Sequence, residues 1–281
     1  MSYKTVLAYI DEAKRCETLL GVARQLAEAQ KAVLIGLHVI PNVQIYAAGE
    51  PQIMADLFEA ERQRFREVAS EARAFFANTM KDASCDFEWR EAEEGSETVG
   101  ERVLEHGLVA DLVITGQIDP EIESPRRVGT PERIIMHGGR PQLMVPYIKL
   151  EGDITRHVMI AWRASGEAAR AVFDALPLLQ AAEKITILEV DAPASSEVER
   201  VAGGEALAVN LERHGVVKPE VEHTPSAGIG VGATILARIS DEDASLLVMG
   251  GYGHSRLGEY LFGGATREIL QQMTVPVLIS H

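Results

Sequence analysis

One pattern in this chain occurs twice, and it constrains the fold more than any other feature. Thr5–Ile10 (TVLAYI) is a short apolar run that ends at Asp11. Cys16–Ala29 follows, with Leu19, Leu20, Val22, Ala23 and Leu26 at helical spacing. Ala32–Ile40 (AVLIGLHVI) is a second run rich in β-formers. Strand, helix and strand within about 36 residues make a βαβ crossover with parallel strands. The same order restarts at His157–Trp162 (HVMIAW), continues through a helix-type stretch over Glu167–Ala182, and reaches Ile185–Val190 (ITILEV).

The register between the copies is nearly rigid. Val6 matches Val158 and Val39 matches Val190, at offsets of 152 and 151. Ala110–Gly116 (ADLVITG) matches Ala244–Gly250 (ASLLVMG) at 134, and Pro141–Val145 matches Pro276–Ser280 at 135. The drop of about 17 residues places a surplus in the first copy, within Pro41–Thr79. There an irregular stretch precedes a long charged helix, expected over Ile53–Thr79. The second copy has a shorter helix, expected over Ser196–His214. Asp86–Glu91 and Lys218–His223 are the expected third strands.

Each copy thus reads as five strands alternating with four helices, which predicts an α/β fold. The expectation is two tandem flavodoxin- or Rossmann-like domains, 1–149 and 150–281, each a five-stranded parallel sheet with helices on both faces. The join at Ile148–Thr155 is short, so the two are expected to pack tightly as an intramolecular pseudo-dimer. A terminal strand left exposed is an edge that pairs readily, so a homodimer is a further expectation.

Charge and cysteine count exclude several functions. The chain has 42 Asp+Glu against 27 Lys+Arg, a formal charge of −15. That argues against non-specific nucleic-acid binding, which needs basic surface. The acidity is even, −7 over residues 1–150 and −8 over the rest, so neither half is a charged tail. Cys16 and Cys85 are too few for a disulfide scaffold. No window approaches the roughly 18 apolar residues of a membrane span. The start turns polar too soon for a secretory leader. A cytoplasmic protein with no membrane partner is expected.

A strongly acidic chain can still hold a phosphate through backbone N–H groups. The second copy puts a glycine cluster where such donors are wanted. Leu246–Met249 runs straight into Gly250-Gly251-Tyr252-Gly253-His254-Ser255-Arg256, followed by Gly258, Gly263 and Gly264 and a helix starting near Ala265. Glycine permits close backbone approach to an anion. The cluster is neither a Walker A loop nor a G-x-G-x-x-G after a first strand. Gly228, Gly230 and Gly232 also alternate, but in mid-domain before a helix, and read as a loop and helix start.

The spacing Gly250-x2-Gly253-x9-Gly263 resembles the G-2x-G-9x-G-[S/T] signature of the universal stress protein family. The strand order, the acidic residue after the first strand and the terminal VPVLIS strand resemble it too. The resemblance covers nearly the whole chain as a tandem pair. The runs AWRASGEAAR, VMGGYGHSR and FGGATRE are similar to the second half of tandem proteobacterial members. The resemblance implies a stress-response protein that binds an adenine nucleotide, ATP, ADP or AMP, with Mg where a nucleotide is held. It implies an adenine-side Asp after strand one, contacts from the end of strand two, and ribose and phosphates on the glycine signature.

Carried onto this sequence, the first copy keeps Asp11, Val39 and Gly129-Thr130, with Gly116 in place but Asp119 where the second glycine belongs. An Asp there repels phosphate. The second copy keeps Val190, Gly250, Gly253, Gly263 and the neighbouring His254 and Ser255, with Gly264 in place of Ser/Thr and Arg163 in place of the Asp. The expected nucleotide site is therefore the second copy's loop. The alternative is a nucleotide-independent scaffold or interaction module with both sites decayed; a slow ATPase ranks below it.

The remaining candidates favour structural roles. The eight histidines show no i, i+4 pair that would ligate a metal, and no metal site is expected. G-x-S-x-G is missing, so no serine nucleophile is expected, and no set of residues reads as a catalytic apparatus. Glu91, Glu93, Glu94 and Glu97 read as a solvated acidic run. Cys16 opens a helix, where a thiolate can be stabilised; a small half-buried residue is the simpler reading. Leu57, Ala60, Phe65, Val68, Ala72, Phe75 and Phe76 stripe one helix, expected to cover its own sheet or the domain interface.

Overall fold

A computed structural model describes residues 2–13, 16–43, 51–118, 130–192, 197–252 and 264–281; side chains at 51–53, 130 and 198–200 are outside that description. The first repeat is built from β1 (Thr5–Tyr9), α1 (Glu17–Gln30), β2 (Val33–Ile40), α2 (Pro51–Thr79), β3 (Phe87–Glu93), α3 (Val99–Gly107), β4 (Leu112–Gly116), α4 (Thr130–His137) and β5 (Gln142–Val145). The second has β6 (His157–Ala161), α5 (Gly166–Asp174), α6 (Leu176–Leu179), β7 (Lys184–Val190), α7 (Glu197–Ala202), α8 (Gly204–Arg213), β8 (Glu220–Thr224), α9 (Val231–Asp241), β9 (Leu246–Gly250), α10 (Gly264–Gln272) and β10 (Val277–Ser280).

All ten strands form one sheet, in the order β3-β2-β1-β4-β5-β10-β9-β6-β7-β8. Pairing is parallel within each repeat and antiparallel only at β5·β10. At that seam Leu143 pairs with Leu278, its own equivalent in the repeat. A pseudo-twofold axis therefore passes through the sheet there. The terminal strands are interior, so the edge expected for a homodimer is taken up within the chain. The outer strands are β3 and β8, and charged residues such as Glu88, Arg90 and Glu93 stud β3. Such residues discourage further strand pairing.

The apolar residues of α1 face inward. Leu19, Leu20, Val22, Ala23, Leu26 and Ala27 bury one side of α1. They join a core that runs across the seam, with Val6, Leu34, Leu112 and Leu143 from the first repeat and Val158, Ile160, Leu246 and Leu278 from the second. The opposite face holds two smaller cores, one around Leu7, Leu37, Val39 and Val113, the other around Met159, Leu247, Ile269 and Ile279. Ile135 and Met144 of the first repeat belong to the latter. Polar contacts also cross between repeats. Tyr3 Oη donates to the Asp174 carbonyl (2.7 Å), and Gln117 Nε2 donates to the carbonyls of Leu270 and Gln271 (3.1 Å each).

Several expected elements are interrupted. The helix expected over Glu167–Ala182 breaks at Ala175 into α5 and α6, where Pro177 enters. The one expected over Ser196–His214 breaks at Gly203. There Gly204 sits so close to β7 that a Cβ would lie 2.7 Å from Glu189 Oε2. Each third strand ends one or two residues later than expected.

The surplus of the first repeat is mainly α2. Its 29 residues span about 43 Å, at roughly 1.5 Å each. β2, with 8 residues, spans only about 26 Å. Ala69, Ala72, Phe76 and Met80 are buried, while Leu57 and Phe58 are half exposed. The apolar stripe thus covers its own sheet over the second half of α2 only. The first half extends past the C-terminal ends of the strands.

Candidate functional site

Ligands of open α/β sheets bind beyond the C-terminal strand ends. Because the repeats meet antiparallel, those ends lie on opposite edges of the sheet. The molecule has two separate candidate sites.

In the second repeat, β9 ends at Gly250, next to the start of α5. A Cβ at Gly250 would lie 2.5 Å from the Ala168 backbone N and 2.7 Å from the Glu167 carbonyl carbon. Only glycine fits, and the reason is helix–strand packing. Ser165 caps α5, its Oγ accepting from the Ala168 N–H (3.2 Å). Gly251 is equally confined, with Ile279 and the first repeat's Ile135 around 3 Å from a Cβ there. Tyr252 takes the left-handed conformation, φ 56°. Burial and the nearby Glu132 of α4 raise its phenol pKa above the usual value. Gly264 is the first residue of α10, and a Cβ there would meet nothing within 4 Å.

Gly253, His254, Ser255 and Gly263 lie outside the described residues. Val190 ends β7 and packs partly buried on the core around Met249 and Ile279. Arg163, standing where the resemblance wants an Asp, is exposed. Sequence reasoning did not single out Glu189 beside Val190. It is buried, and His223 Nδ1 of β8 lies 3.4 Å from its Oε2.

In the first repeat, Asp11 follows β1 and is half-buried. Its Oδ1 accepts from the Glu12 N–H (2.6 Å) and from the Cys16 thiol (3.5 Å). Cys16 is buried, and burial, followed by the Asp11 charge, pushes its pKa up to about 12. The helix start therefore holds a neutral thiol, and the activated thiolate considered from sequence does not form. Val39 is buried in the core on the opposite face, leaving its backbone to line the strand end. Thr130 begins α4; Asp119 and Gly129 lie outside the described residues. The acidic run is not wholly solvated either. Glu94 is buried and accepts from the Asn42 N–H (2.6 Å).

His38, beside Val39, was not distinguished from the other histidines by sequence. It is 3% exposed, and its Nδ1 donates to the Ile10 carbonyl (2.8 Å). Burial holds its pKa below the ordinary imidazole value, against the opposing pull of that bond and of Glu91 and Asp11. The alternating glycines behave as a loop and helix start: Gly228 and Gly230 have φ of 83° and 95°, and Gly230 caps α9.

No other feature among the described residues offers chemistry. No group of three or more His, Cys, Asp or Glu is placed to hold a metal. A groove between α1 and α2, lined by Gly21, Arg24, Glu28 and Phe75, lies away from the strand ends. Its Arg24 is engaged by Glu28 (3.0 Å) and by the Thr79 and Asp82 carbonyls (2.8 Å each). Among the described residues no helix is long and apolar enough to cross a membrane.

Comparison with known proteins agrees with this fold. The family model described as universal stress protein family matches residues 2–123 and 155–281. A universal stress protein from Archaeoglobus fulgidus DSM 4304 superimposes with TM-score 0.69 at 14% identity, over 98% of this chain and 97% of that one. A putative universal stress protein from Pseudomonas aeruginosa UCBPP-PA14 gives 0.59 at 17% identity, over 99% and 93%. No curated protein matches the chain. With the family model covering both repeats and the shared architecture running end to end, the chain belongs to the universal stress protein family.

Proposed function

We propose that this chain is a stress-response binding protein that takes an adenine nucleotide, ATP, ADP or AMP, in its second repeat. The observation that carries this reading is the complete Gly250, Gly253, Gly263 spacing in the sequence, with Gly250 and Gly264 each at a helix start. Gly250 lies against the N-terminus of α5, and Gly264 opens α10. In a chain of charge −15, phosphate must be met by such backbone donors. Val190 marks the strand end where the base would lie. His254 and Ser255 are the side chains of the loop that would add hydrogen bonds, and Mg would accompany a triphosphate. The first repeat, with Asp119 in its signature, does not take the nucleotide. No residue set supports turnover beyond slow phosphate release. The protein acts in the cytoplasm by reporting nucleotide state.

The test is calorimetric titration with ATP, ADP and AMP plus magnesium, on wild type and on Gly253→Asp and Gly263→Asp. Binding by wild type that both variants lose supports the reading. No binding at millimolar nucleotide overturns it, since ligand at 100 times Kd adds about 2.7 kcal/mol of stability. Phosphate release lost in those variants would assign a slow ATPase.

A second reading is a nucleotide-independent interaction module. It is favoured by Gly250, whose small size the fold itself demands, and by Arg163 in place of the adenine-side Asp. Wild-type stability unmoved by any nucleotide would select it.

A further inference from the structure

Three parts of the second repeat around its glycine signature are braced by residues of the first. Gly251 faces Ile135 of α4; a Cβ there would lie 3.1 Å from that side chain. α10, which starts at Gly264, ends beside Gln117. The Leu270 and Gln271 carbonyls of its last turn accept from Gln117 Nε2 (3.1 Å each). Carbonyls in the last turn of a helix have no N–H partner within it, so the amide supplies what α10 lacks. α5, which starts beside Gly250, breaks where Pro177 enters. There the Leu178 N–H goes to the Ala175 carbonyl (2.9 Å). The Asp174 carbonyl, four residues before Leu178, accepts from Tyr3 Oη instead (2.7 Å).

Both donors are buried, Tyr3 at 4% and Gln117 at 8% exposure. Burial, then the charges of Asp174 and Asp111, raise the Tyr3 phenol pKa above its ordinary value, so the hydroxyl keeps the proton it donates. Gln117 is held at a cost. Two carbonyls face its amide nitrogen, and its Oε1 is buried with no hydrogen-bond partner. An apolar side chain of like size would be buried there without leaving an acceptor unmade. Packing alone therefore does not account for an amide at this position, whereas two donors to α10 do.

The support runs one way. Tyr3 and Gln117 correspond to Thr155 and Gly251 of the second repeat, at the offsets of 152 and 134. Thr155 turns its hydroxyl to Asp153 Oδ1 (2.8 Å), and Gly251 has no side chain to reach back with. α1, the counterpart of α5 and α6, runs unbroken over Glu17–Gln30. Arg170 does cross to the first repeat, but from an exposed position and to Gly139, beyond the end of α4.

We propose that the first repeat is the positioning half of the molecule: Tyr3 and Gln117 fix α5 and α10 so that the backbone N–H groups at their starts meet the phosphates of the nucleotide. What the loop binds rests on the nucleotide reading above; what holds the loop rests on the seam. Each of the two helices has nine residues, about 13 Å at roughly 1.5 Å per residue. A rod that short moves as a unit, so a slide where the first repeat grips it is a slide at its start. Gln117 acts from the opposite edge of the sheet and is a positioning residue, as is Tyr3.

The experiment measures ATP binding with magnesium by calorimetry on the full chain. The variants are Tyr3→Phe and Gln117→Met, which lose the donors and keep the volume. The control is Thr98→Ala, which removes the cap of α3 within the first repeat. The expected result is a dissociation constant raised about fivefold or more in each variant, the low end of coupling between sites, and unchanged in the control. In the nucleotide-free protein the Gly264 amide resonance is expected to move in Gln117→Met, although it lies about 9 Å along α10 from Leu270, and to stay in place in Thr98→Ala. In wild type, ATP is expected to slow exchange of the Gln117 side-chain amide protons, since coupling is reciprocal; this needs no variant to fold. Variants that bind as wild type does overturn the positioning role and leave the nucleotide reading standing. Equal weakening in Thr98→Ala overturns it as a general loss of stability, and an unmoved Gly264 resonance overturns it as an effect that does not travel along α10. A wild type that binds no nucleotide overturns the nucleotide reading, while a Gly264 resonance that moves only in Gln117→Met still supports the first repeat as the brace of the loop.

Discussion

Two glycines in one signature have different physical roles. Gly250 is pressed against the α5 backbone, where a Cβ would lie 2.5 Å from the Ala168 N, while Gly264 has open space around it. Gly250→Ala is therefore expected to destabilise the fold by about 1–3 kcal/mol, the range for forcing atoms into a packed site. Gly264→Ala should stay within about 0.5 kcal/mol of wild type. Urea unfolding of the two variants checks both, and equal losses would refute the distinction. His38 gives a second prediction at this scale. Its pKa is lowered in the folded state by burial, so the unfolded chain binds the extra proton first as pH falls. Stability should hold above the ordinary histidine value of about 6.5 and decline as pH falls below it toward the lower folded value. His106, also lowered by burial and by the nearby Arg90, adds to the same slope. Denaturation midpoints between neutral and mildly acid pH should show a decline that is shallower in His38→Gln.

At the scale of the element, α2 is two segments in one helix. Phe76 is 1% exposed, fits over Gly36 and meets the rings of Trp89 and Phe87 at 5.3 and 6.0 Å. Phe76→Ala should cost about 3–5 kcal/mol, as for a large side chain removed from a core. Phe58, 46% exposed in the projecting segment, should cost under about 0.5 kcal/mol on the same substitution. Chemical unfolding separates the two, and a large loss at Phe58 would mean that the projecting segment is held by packing. The apolar stripe in the sequence was legible over its whole length. Which part of it meets the sheet was not, because that depends on how far β2 runs beneath the helix. The breaks at Ala175 and Gly203 were missed for a related reason. Apolar spacing continues through them, and they are set by Pro177 and by the close approach of Gly204 to β7.

At the scale of the molecule, the repeats share one core. Val6, Leu143, Val158 and Leu278 belong to the same buried cluster. Cross-contacts at Tyr3, Gln117 and Arg170, whose Nη2 donates to the Gly139 carbonyl at 2.7 Å, reinforce it. The chain should therefore unfold in a single calorimetric transition with matching van't Hoff and calorimetric enthalpies. Two resolved transitions would show that the seam is weak. The same seam points the two strand-end sites to opposite edges, so a ligand of one does not touch the other.

Repetition, the α/β class and the candidate glycine loop were all determined by the sequence alone. Apolar periodicity is local, and a rigid offset between two copies leaves few ways to arrange the strands. Asp11, Val39, Val190 and Gly250 could be placed at strand ends for that reason. What the tertiary structure decided is what lies between segments distant in the chain. It pairs Leu143 with Leu278, so the terminal strands become the centre of the sheet. It sets Gly250 against α5 and buries His38 beneath α2 with one nitrogen unsatisfied. A histidine in a β-run looks the same in sequence whether its ring is paired or not. Only the packing of β1, β3 and α2 around it fixes which nitrogen is satisfied and which charges it faces.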